Sequence, residues 1–365
     1  MIILVLASLF ALLLVYTASP HKKDMSLKWA IGLVTLVSAV RYQVGTDYTN
    51  YYEIYDNINS YGAFSWNELM QGEIYKDPMW TLLNLIFSVF KDYGFYVLVA
   101  SISVFQNMVF YYIIRKHVNP DYWPLALFVY LFNPYFYVLD QSMLRQGLAM
   151  SLCMLAFLVF SKKKLWLSIL LIVMGWLTHS SALIMLCMIP LLFWKMENTK
   201  PLAYIFMVSF VVFFIFRDSL EAFLSPFLAV EDFDILYEKY LGRDTSSSFG
   251  IIFILNTIPF FIFVKALFKG EIEDSSQKRM LFLSCIGTLI IPFSAMVQMI
   301  SRLALYFNIF SIAAIPVVYS KQSSSVRTII TSCYVLAELT QYYLLYLGPS
   351  ASRGYDTYQT ILEIL

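Results

Sequence analysis

Four short groups of polar residues interrupt an otherwise apolar chain, and the first two are of a kind that binds anions. The first group, RYQVGTDYTNY, runs from Arg41 to Tyr51 and combines a cation, the carboxylate of Asp47, a glycine and three tyrosines. The second is Leu144-Arg145-Gln146-Gly147, at the start of a long apolar run. Because a guanidinium presents several donors in one plane, these arginines predict a site for phosphate or carboxylate.

The third and fourth groups add a histidine and another arginine. His179 lies within Thr178-His179-Ser180-Ser181, between two apolar runs, and Arg302 precedes a short segment that contains Tyr306. An imidazole titrates near neutral pH, so His179 is the natural candidate for a general base. Glu338 lies inside the last apolar run and is either a cavity carboxylate or a partner for an arginine.

Each group also has a purely structural interpretation. Tyr48 and Tyr51 are typical of the tyrosines that anchor helices at a membrane surface, Arg145 could extend to lipid headgroups, and a lone histidine often packs with a hydrogen bond. No second histidine or cysteine lies near His179 in the sequence, which disfavours a zinc site. An Asp-x-Asp sequence, which can bind a metal ion, occurs only at Asp232-Phe233-Asp234, in the polar stretch 217–248. The sequence therefore predicts no metal and no cofactor.

The composition indicates that lipid is the solvent for most of the chain. Of its 365 residues, 60% are hydrophobic and 13% are charged, and its mean hydropathy is +0.69. Soluble domains average about 45–50% apolar and about 25% charged residues. Long continuous apolar runs favour helices over the alternating pattern of a β-barrel. The expected fold is an all-α polytopic membrane protein with about 12–13 transmembrane helices, and residues 1–365 form a single domain. The net charge of +1 gives no support to nucleic-acid binding.

Apolar runs and the polar breaks between them predict the individual spans. Two long polar stretches, 41–77 and 217–248, interrupt the runs, and a third, 348–365, ends the chain. A shorter run, 78–90, is predicted to re-enter the membrane rather than cross it. The spans are expected near residues 2–18, 27–40, 95–114, 122–139, 142–160, 165–178, 181–194, 201–216, 249–267, 280–298, 303–320 and 328–347.

Lysine and arginine in the short loops predict the orientation of these spans. If Lys162-Lys163-Lys164 is cytoplasmic, alternation also places Arg115 and Lys116 inside. The opposite, outer side then receives most of the arginines: Arg41, Arg145, Arg217, Arg243, Arg302 and Arg353. Arginines that oppose the orientation rule suggest a bound anion. The alternative is that they pair with outer acids such as Asp218, Glu221 and Asp244.

Together, the four groups resemble those of the EpsG family, a branch of the Wzy-like O-antigen and exopolysaccharide polymerases. The resemblance rests on their order and spacing over nearly the whole chain, and the aromatic tail at Tyr355-Asp356-Thr357-Tyr358 is similar too, although it has no proline. It implies a GT-C-like glycosyltransferase in the bacterial plasma membrane with its active site facing outward. The implied reaction transfers a growing glycan from polyprenyl pyrophosphate onto a lipid-linked repeat unit.

The resemblance implies a role for each residue. Arg41, Arg145 and Arg302 would bind the pyrophosphate, and His179, or alternatively Asp47, would be the base. Sugar contacts would come from Tyr48, Tyr51, Gln146, Tyr306 and Glu338. The expected partners are undecaprenyl-pyrophosphate-linked oligosaccharide, membrane lipid and a protein that regulates chain length. Two alternatives remain open: a flippase for lipid-linked oligosaccharide, which needs the arginines but no base, and an O-antigen ligase.

Overall fold

The computed structural model describes residues 1–61, 65–72, 74–160, 162–216, 219, 250–295, 298–348, 353–355 and 358–363. Arg217, Arg243 and the Asp232–Asp234 segment lie outside these residues. The chain folds as two compact units, one of Met1–Phe193 with Glu338–Leu365 and one of Trp194–Ala337. The assignment of 1–365 to a single domain stays a prediction.

The first unit is built from helices joined by short turns. A single antiparallel pairing connects its two short strands, β1 (Arg41–Tyr42) and β2 (Gln359–Thr360). Its helices are α1 (Ile2–Tyr16), α2 (Lys23–Ala39), α3 (Tyr48–Ser60), α4 (Trp66–Gln71), α5 (Pro78–Phe87), α6 (Gly94–His117), α7 (Trp123–Phe132), α8 (Tyr137–Ser142), α9 (Leu144–Val159), α10 (Leu165–Thr178) and α11 (Met188–Phe193).

The second unit is also helical. Aromatic rings pack between its helices, such as those of Phe210 and Phe260, whose centroids are 5.1 Å apart. Gly287 has no side chain, which allows its helix to approach the backbone of Asn308 closely. Its helices are α12 (Lys200–Ile215), α13 (Ile251–Lys269), α14 (Ser275–Ile290), α15 (Gln298–Asn308), α16 (Ser311–Ser320) and the first part of α17 (Ser324–Tyr342), which continues into the first unit.

The outer faces of the helices carry the apolar side chains that a lipid environment requires. On α1, Ile2, Leu6, Leu9 and Leu13 are 49–73% exposed at helical spacing, an arrangement that water would disfavour. Among the described residues, Pro78–His117 and Ile251–Lys269 are long and apolar enough to span a membrane, as is a pair of helices, 302–308 and 311–320, bent by 40°. Shorter apolar helices accompany them. The prediction of an all-α polytopic membrane protein is confirmed.

Two finer predictions about the membrane helices remain predictions. One is the number of spans, and with it the likeness to a GT-C fold. The other is that 78–90 re-enters the membrane. Between α5 and α6, Lys91 has a φ of 52° and a ψ of −127°, so the chain leaves its helical path there.

The polar stretch 41–77 contains two helices. In α3, Tyr48, Tyr51, Tyr55 and Ile58 are buried, and their spacing of three and four residues places them on one helix face. The α4 helix begins with a capping box between Ser65 and Glu68. The described residues of this stretch are therefore a folded part of the first unit, packed on its helices through aromatic side chains.

The helices of the first unit have two chemically different ends. One end, called here the basic end, collects the start of α2 and the ends of α6 and α9. Asp24 pairs there with Lys28 and Arg115, each at 2.8 Å, and Lys116 Nζ donates to the Leu158 carbonyl at 2.6 Å. The opposite end, called here the site end, contains the end of α2, the first half of α6, the beginning of α9 and the end of α10. The first turn of α9 is level with the middle of α6, because Gly147 packs against Gln106.

Candidate functional site

Arg145 lies in the first turn of α9, and its guanidinium is held between two tyrosine rings. The guanidinium carbon is 5.6 Å from the ring centre of Tyr51 and 5.1 Å from that of Tyr75. Its Nη1 donates to Oδ2 of Asp77, and the side chains of Arg145 and Asp77 are only 15% and 6% exposed. Among the described residues, no partner accepts a hydrogen bond from Arg145 Nε. This cation is rigidly placed and keeps an unused donor.

Tyr51 and Tyr75 stay neutral around this cation. Burial raises the pKa of the Tyr75 phenol to about 12, an effect that the nearby charge of Arg145 only partly opposes. Burial also raises the pKa of Tyr51. The two phenols therefore act as rings and hydrogen-bonding groups rather than as counterions, and Asp77 supplies the negative charge that balances Arg145.

The segment that contains Asp47 is fixed directly against the start of α9. Gly45 has a φ of +99°, and a Cβ there would lie 2.7 Å from the Cα of Ser142, so only glycine fits. The Ser142 hydroxyl lies 3.0 Å from Thr46 Oγ1 and accepts from the Asp47 amide at 3.2 Å. The half-buried Asp47 is thereby held close to the α8–α9 junction.

The C-terminal tail closes over this segment. Gly354 accepts a hydrogen bond from the Gly45 amide at 2.8 Å, and Thr360 pairs with Arg41 in the two-stranded sheet. Tyr358 donates to the Val37 carbonyl at 2.5 Å. The described tail residues therefore hold the segment that carries Asp47, a role that the sequence alone did not assign to them.

Arg41 is buried inside the first unit, with only 2% of its surface exposed. Its Nη1 donates to the Ser38 carbonyl and, at 2.8 Å, to the Ser103 hydroxyl. Tyr48 donates to the Arg41 carbonyl at 3.4 Å. Arg41 Nε has no hydrogen-bond partner among the described residues. Arg41 thus connects α2 to α6 through hydrogen bonds to Ser38 and Ser103.

A buried acid, Asp140, lies close to these groups in the break between the apolar segments 122–139 and 142–160. A Cβ on Gly147 would lie 2.4 Å from Gln106 Nε2 and 2.9 Å from Asp140 Oδ1, so the glycine permits both to approach α9. Burial raises the pKa of Asp140 to about 8, although the charge of Arg41 opposes the shift. Asp140 shortly precedes Arg145 in the sequence, but the sequence alone gave it no role in the site.

The antiparallel packing of α9 against α10 determines where His179 lies along the axis of α9. The Ser168 hydroxyl donates to the Ala156 carbonyl at 3.0 Å, and a Cβ on Gly175 would lie 3.3 Å from the Ala149 carbonyl. The same register, continued by one helical turn, brings His179 level with the first turn of α9.

His179 and Arg145 are therefore at the same end of the first unit. His179 terminates α10 in an extended conformation and is half-buried. Its Nδ1 lies 2.6 Å from the Ser181 hydroxyl, which fixes the direction of the ring. In the tautomer with hydrogen on Nδ1, Nε2 carries the lone pair that a base requires.

The remaining predicted residues are distributed over both units. Gln146 and Glu338 belong to the first unit and are buried, at 1% and 2% exposure. Arg302 and Tyr306 lie on α15 in the second unit, where Tyr306 is fully buried. That Arg302 converges with Arg145 stays a prediction. The roles assigned to all of these side chains likewise stay predictions.

Sequence reasoning missed three members of this environment: Tyr75, Asp77 and Asp140. A polar stretch rich in tyrosine that leads into Asp77-Pro78 was visible. The pairing of Asp77 with an arginine 68 positions later was not. Among the described residues, no group of three or more His, Cys, Asp or Glu side chains could hold a metal ion.

Comparison with known proteins connects this arrangement to a family. No curated protein and no solved structure matches the chain. The sequence profile described as the EpsG family matches residues 28–360, which include all four polar groups and the tail strand. The chain therefore belongs to the EpsG family, a family of Wzy-like polymerases.

Proposed function

We propose that this protein is a glycosyltransferase that polymerises polysaccharide at the outer face of the bacterial plasma membrane. The donor is a growing glycan on polyprenyl pyrophosphate, and the acceptor is a lipid-linked repeat unit. The bond between the donor sugar carbon and the phosphate oxygen breaks, and that carbon joins an acceptor hydroxyl oxygen. The hydroxyl proton passes to a base, and polyprenyl pyrophosphate leaves with the bonding electrons.

The observation that carries this proposal is that Arg145 and His179 share the site end, opposite the lysine-rich basic end. Lys162, Lys163 and Lys164 join α9 to α10 at the basic end. Because basic loops face the cytoplasm, the site end faces outward. A cation and an imidazole at that face suit a substrate with a pyrophosphate and an acceptor hydroxyl.

Arg145 is suited to stabilise the leaving group. Charge grows on the phosphate oxygens as the sugar–oxygen bond breaks, and a fixed guanidinium stabilises that charge without reorganising. The two tyrosine rings around Arg145 limit its rotamers, so little side-chain entropy is lost when it binds an anion. Arg41 and, from the second unit, Arg302 are the further cations in this proposal.

His179 is suited to accept the proton of the acceptor hydroxyl. Imidazole is the side chain best suited to accept a proton near neutral pH, and the Ser181 hydroxyl, 2.6 Å from Nδ1, holds this ring. Asp47, fixed through Ser142, is the alternative base. A flippase would use the arginine but has no step that requires a base. A base requirement therefore separates these two functions.

The experiment is a gel of surface polysaccharide from cells that carry single variants. His179→Ala and Arg145→Ala should each abolish long glycan chains, because loss of a general base typically costs about 10²–10⁴ in rate and loss of a transition-state donor about 10²–10³. Arg145→Ala is compared with Arg145→Ala combined with Asp77→Asn, which leaves no unpaired buried carboxylate, and immunoblots of the membranes measure the amount of each variant. The matched controls are His21→Ala and Arg115→Ala. Both residues are exposed and lie on the basic end side of the first unit.

The distribution of products identifies the function. Accumulation of single repeat units on their lipid or acceptor core supports a polymerase, whereas lipid-linked units retained in the inner leaflet indicate a flippase. Complete polymer that is never attached to its final acceptor indicates a ligase. Wild-type ladders from both site variants would refute the assignment of His179 and Arg145.

A further inference from the structure

An apolar groove follows the lipid-facing surface of α6 in the first unit. Its volume is about 640 Å³, within the range of about 300–1,000 Å³ that is typical of ligand pockets. The end of α2 and a residue of the C-terminal tail form its other wall. The residues that shape it are Ala39, Val40, Val97, Ala100, Val104 and Ile361.

The groove continues along a membrane-spanning helix. Val97, Ala100, Val104 and Met108 line it at intervals of three and four residues, so they form one stripe about 16 Å long at a rise of 1.5 Å per residue. Val104 and Met108 are 43% and 49% exposed. The small side chain of Ala100 leaves the space that a larger residue would fill.

The upper rim of the groove is aromatic and polar. Tyr93 and Tyr96 line it near the start of α6, which is the site end. The ring of Tyr96 lies 6.1 Å from that of Tyr42 and 6.3 Å from that of Tyr52. Tyrosines in this position suit the boundary between a lipid chain and its polar headgroup.

The rim is distant from Arg145 along α6. Gln106 lies against Gly147, two residues after Arg145, and Tyr96 is ten residues before Gln106, or about 15 Å along the helix. Val40 faces the groove while Arg41, the next residue, is buried inside the unit. A phosphate at this rim is therefore separated from the level of Arg145 by about 15 Å along α6.

We propose that this groove binds the polyprenyl chain of the acceptor, the lipid-linked repeat unit whose terminal sugar is extended. This assignment rests on the proposed function. In that reaction the donor pyrophosphate must contact Arg145, whereas the acceptor pyrophosphate takes no part in the chemistry. The acceptor pyrophosphate therefore lies one oligosaccharide away from the reacting carbon, which matches a groove whose rim is remote from Arg145.

The test uses the full-length protein in nanodiscs and a photoreactive undecaprenyl pyrophosphate with a diazirine near the end of its chain. Wild-type protein should be labelled on the Val97–Met108 stripe. Ala100→Phe fills the groove and should weaken labelling about tenfold, the equivalent of displacing about two methylene groups. Ala7→Phe, a half-buried small residue on α1 outside the groove, should be labelled like wild type.

A second variant separates the acceptor chain from the donor chain. Arg145→Ala combined with Asp77→Asn, which leaves no unpaired buried carboxylate, should leave labelling of the stripe unchanged, and a loss of labelling in folded protein would assign the groove to the donor instead. If phosphatidylglycerol reduced labelling as strongly as unlabelled undecaprenyl pyrophosphate does, the groove would be an ordinary lipid contact and the proposal would be overturned. Labelling of Ala100→Phe at the wild-type level would also overturn it. The same preparations are assayed for chain extension. Extension without stripe labelling refutes the groove alone, and no extension by wild type refutes the proposed function and this assignment with it.

Discussion

The ion pair between Arg145 and Asp77 should dominate the stability of the site end. Arg145→Ala leaves the carboxylate of Asp77 in a place where its side chain is only 6% exposed. Removing one partner of a buried pair costs about 3–5 kcal/mol, because the remaining charge stays desolvated. The mutation also removes contacts with the rings of Tyr51 and Tyr75, each worth about 0.5–2 kcal/mol.

A double-mutant cycle isolates the contribution of the pair. Asp77→Asn in the Arg145→Ala background removes the stranded charge, so the double variant should lose less stability than the two single losses combined. The expected coupling is about 1.5–3 kcal/mol, within the range for residues in contact.

The assay is denaturant unfolding of purified protein in detergent, followed by intrinsic tryptophan fluorescence, to which the buried Trp80 on α5 contributes. Lys28→Ala at the basic end is the matched control. Its pair with Asp24 is about half exposed, and exposed pairs typically contribute about 0–1 kcal/mol. Additive losses for Arg145→Ala and Asp77→Asn would refute the view that these two residues form one buried electrostatic unit.

Three further perturbations test the surrounding structure. Gly45→Ala should abolish folded, active protein, because Gly45 has a positive φ and its new Cβ would collide with Ser142. Gly32→Ala on α2 is the control: no atom lies within 4 Å of the new Cβ, so this variant should be more stable by about 0.5–1 kcal/mol. Membrane yield and thermal midpoints of the two variants are compared. Asp140 holds its proton in the folded state up to a pKa of about 8 but loses it near 3.9 when unfolded, so stability should fall as the pH rises from about 4 to about 8. Asp140→Asn should flatten that dependence in unfolding curves, and an unchanged slope would contradict it. Tyr358→Phe should lower stability by about 0.5–1.5 kcal/mol through loss of its hydrogen bond to α2, and a change in protease sensitivity confined to the tail would report it.

The sequence was sufficient for the fold class and for the family because both depend on local patterns. Long apolar runs predict membrane helices whatever their neighbours are, and four polar groups in a fixed order identify the EpsG family. The helix α3 was also accessible in principle. Tyr48, Tyr51 and Tyr55 repeat at helical spacing, but the polar residues between them obscured that face.

The contacts that build the site join residues far apart in the sequence, and local sequence patterns do not specify such contacts. Asp77 and Asp47 are both acids in the same polar stretch, yet only Asp77 forms an ion pair with Arg145. Arg41 resembles an exposed interfacial arginine in sequence but is buried against Ser103 of α6. Gly45 is required because Ser142, almost a hundred residues later, packs on it.

The most direct test of the central claim is chain elongation by purified protein in liposomes loaded with undecaprenyl-pyrophosphate-linked repeat units and no other protein. We expect wild type to form products of two or more repeat units with release of undecaprenyl pyrophosphate, and His179→Ala and Arg145→Ala to form none. Movement of repeat units across the bilayer without any elongation would contradict this expectation.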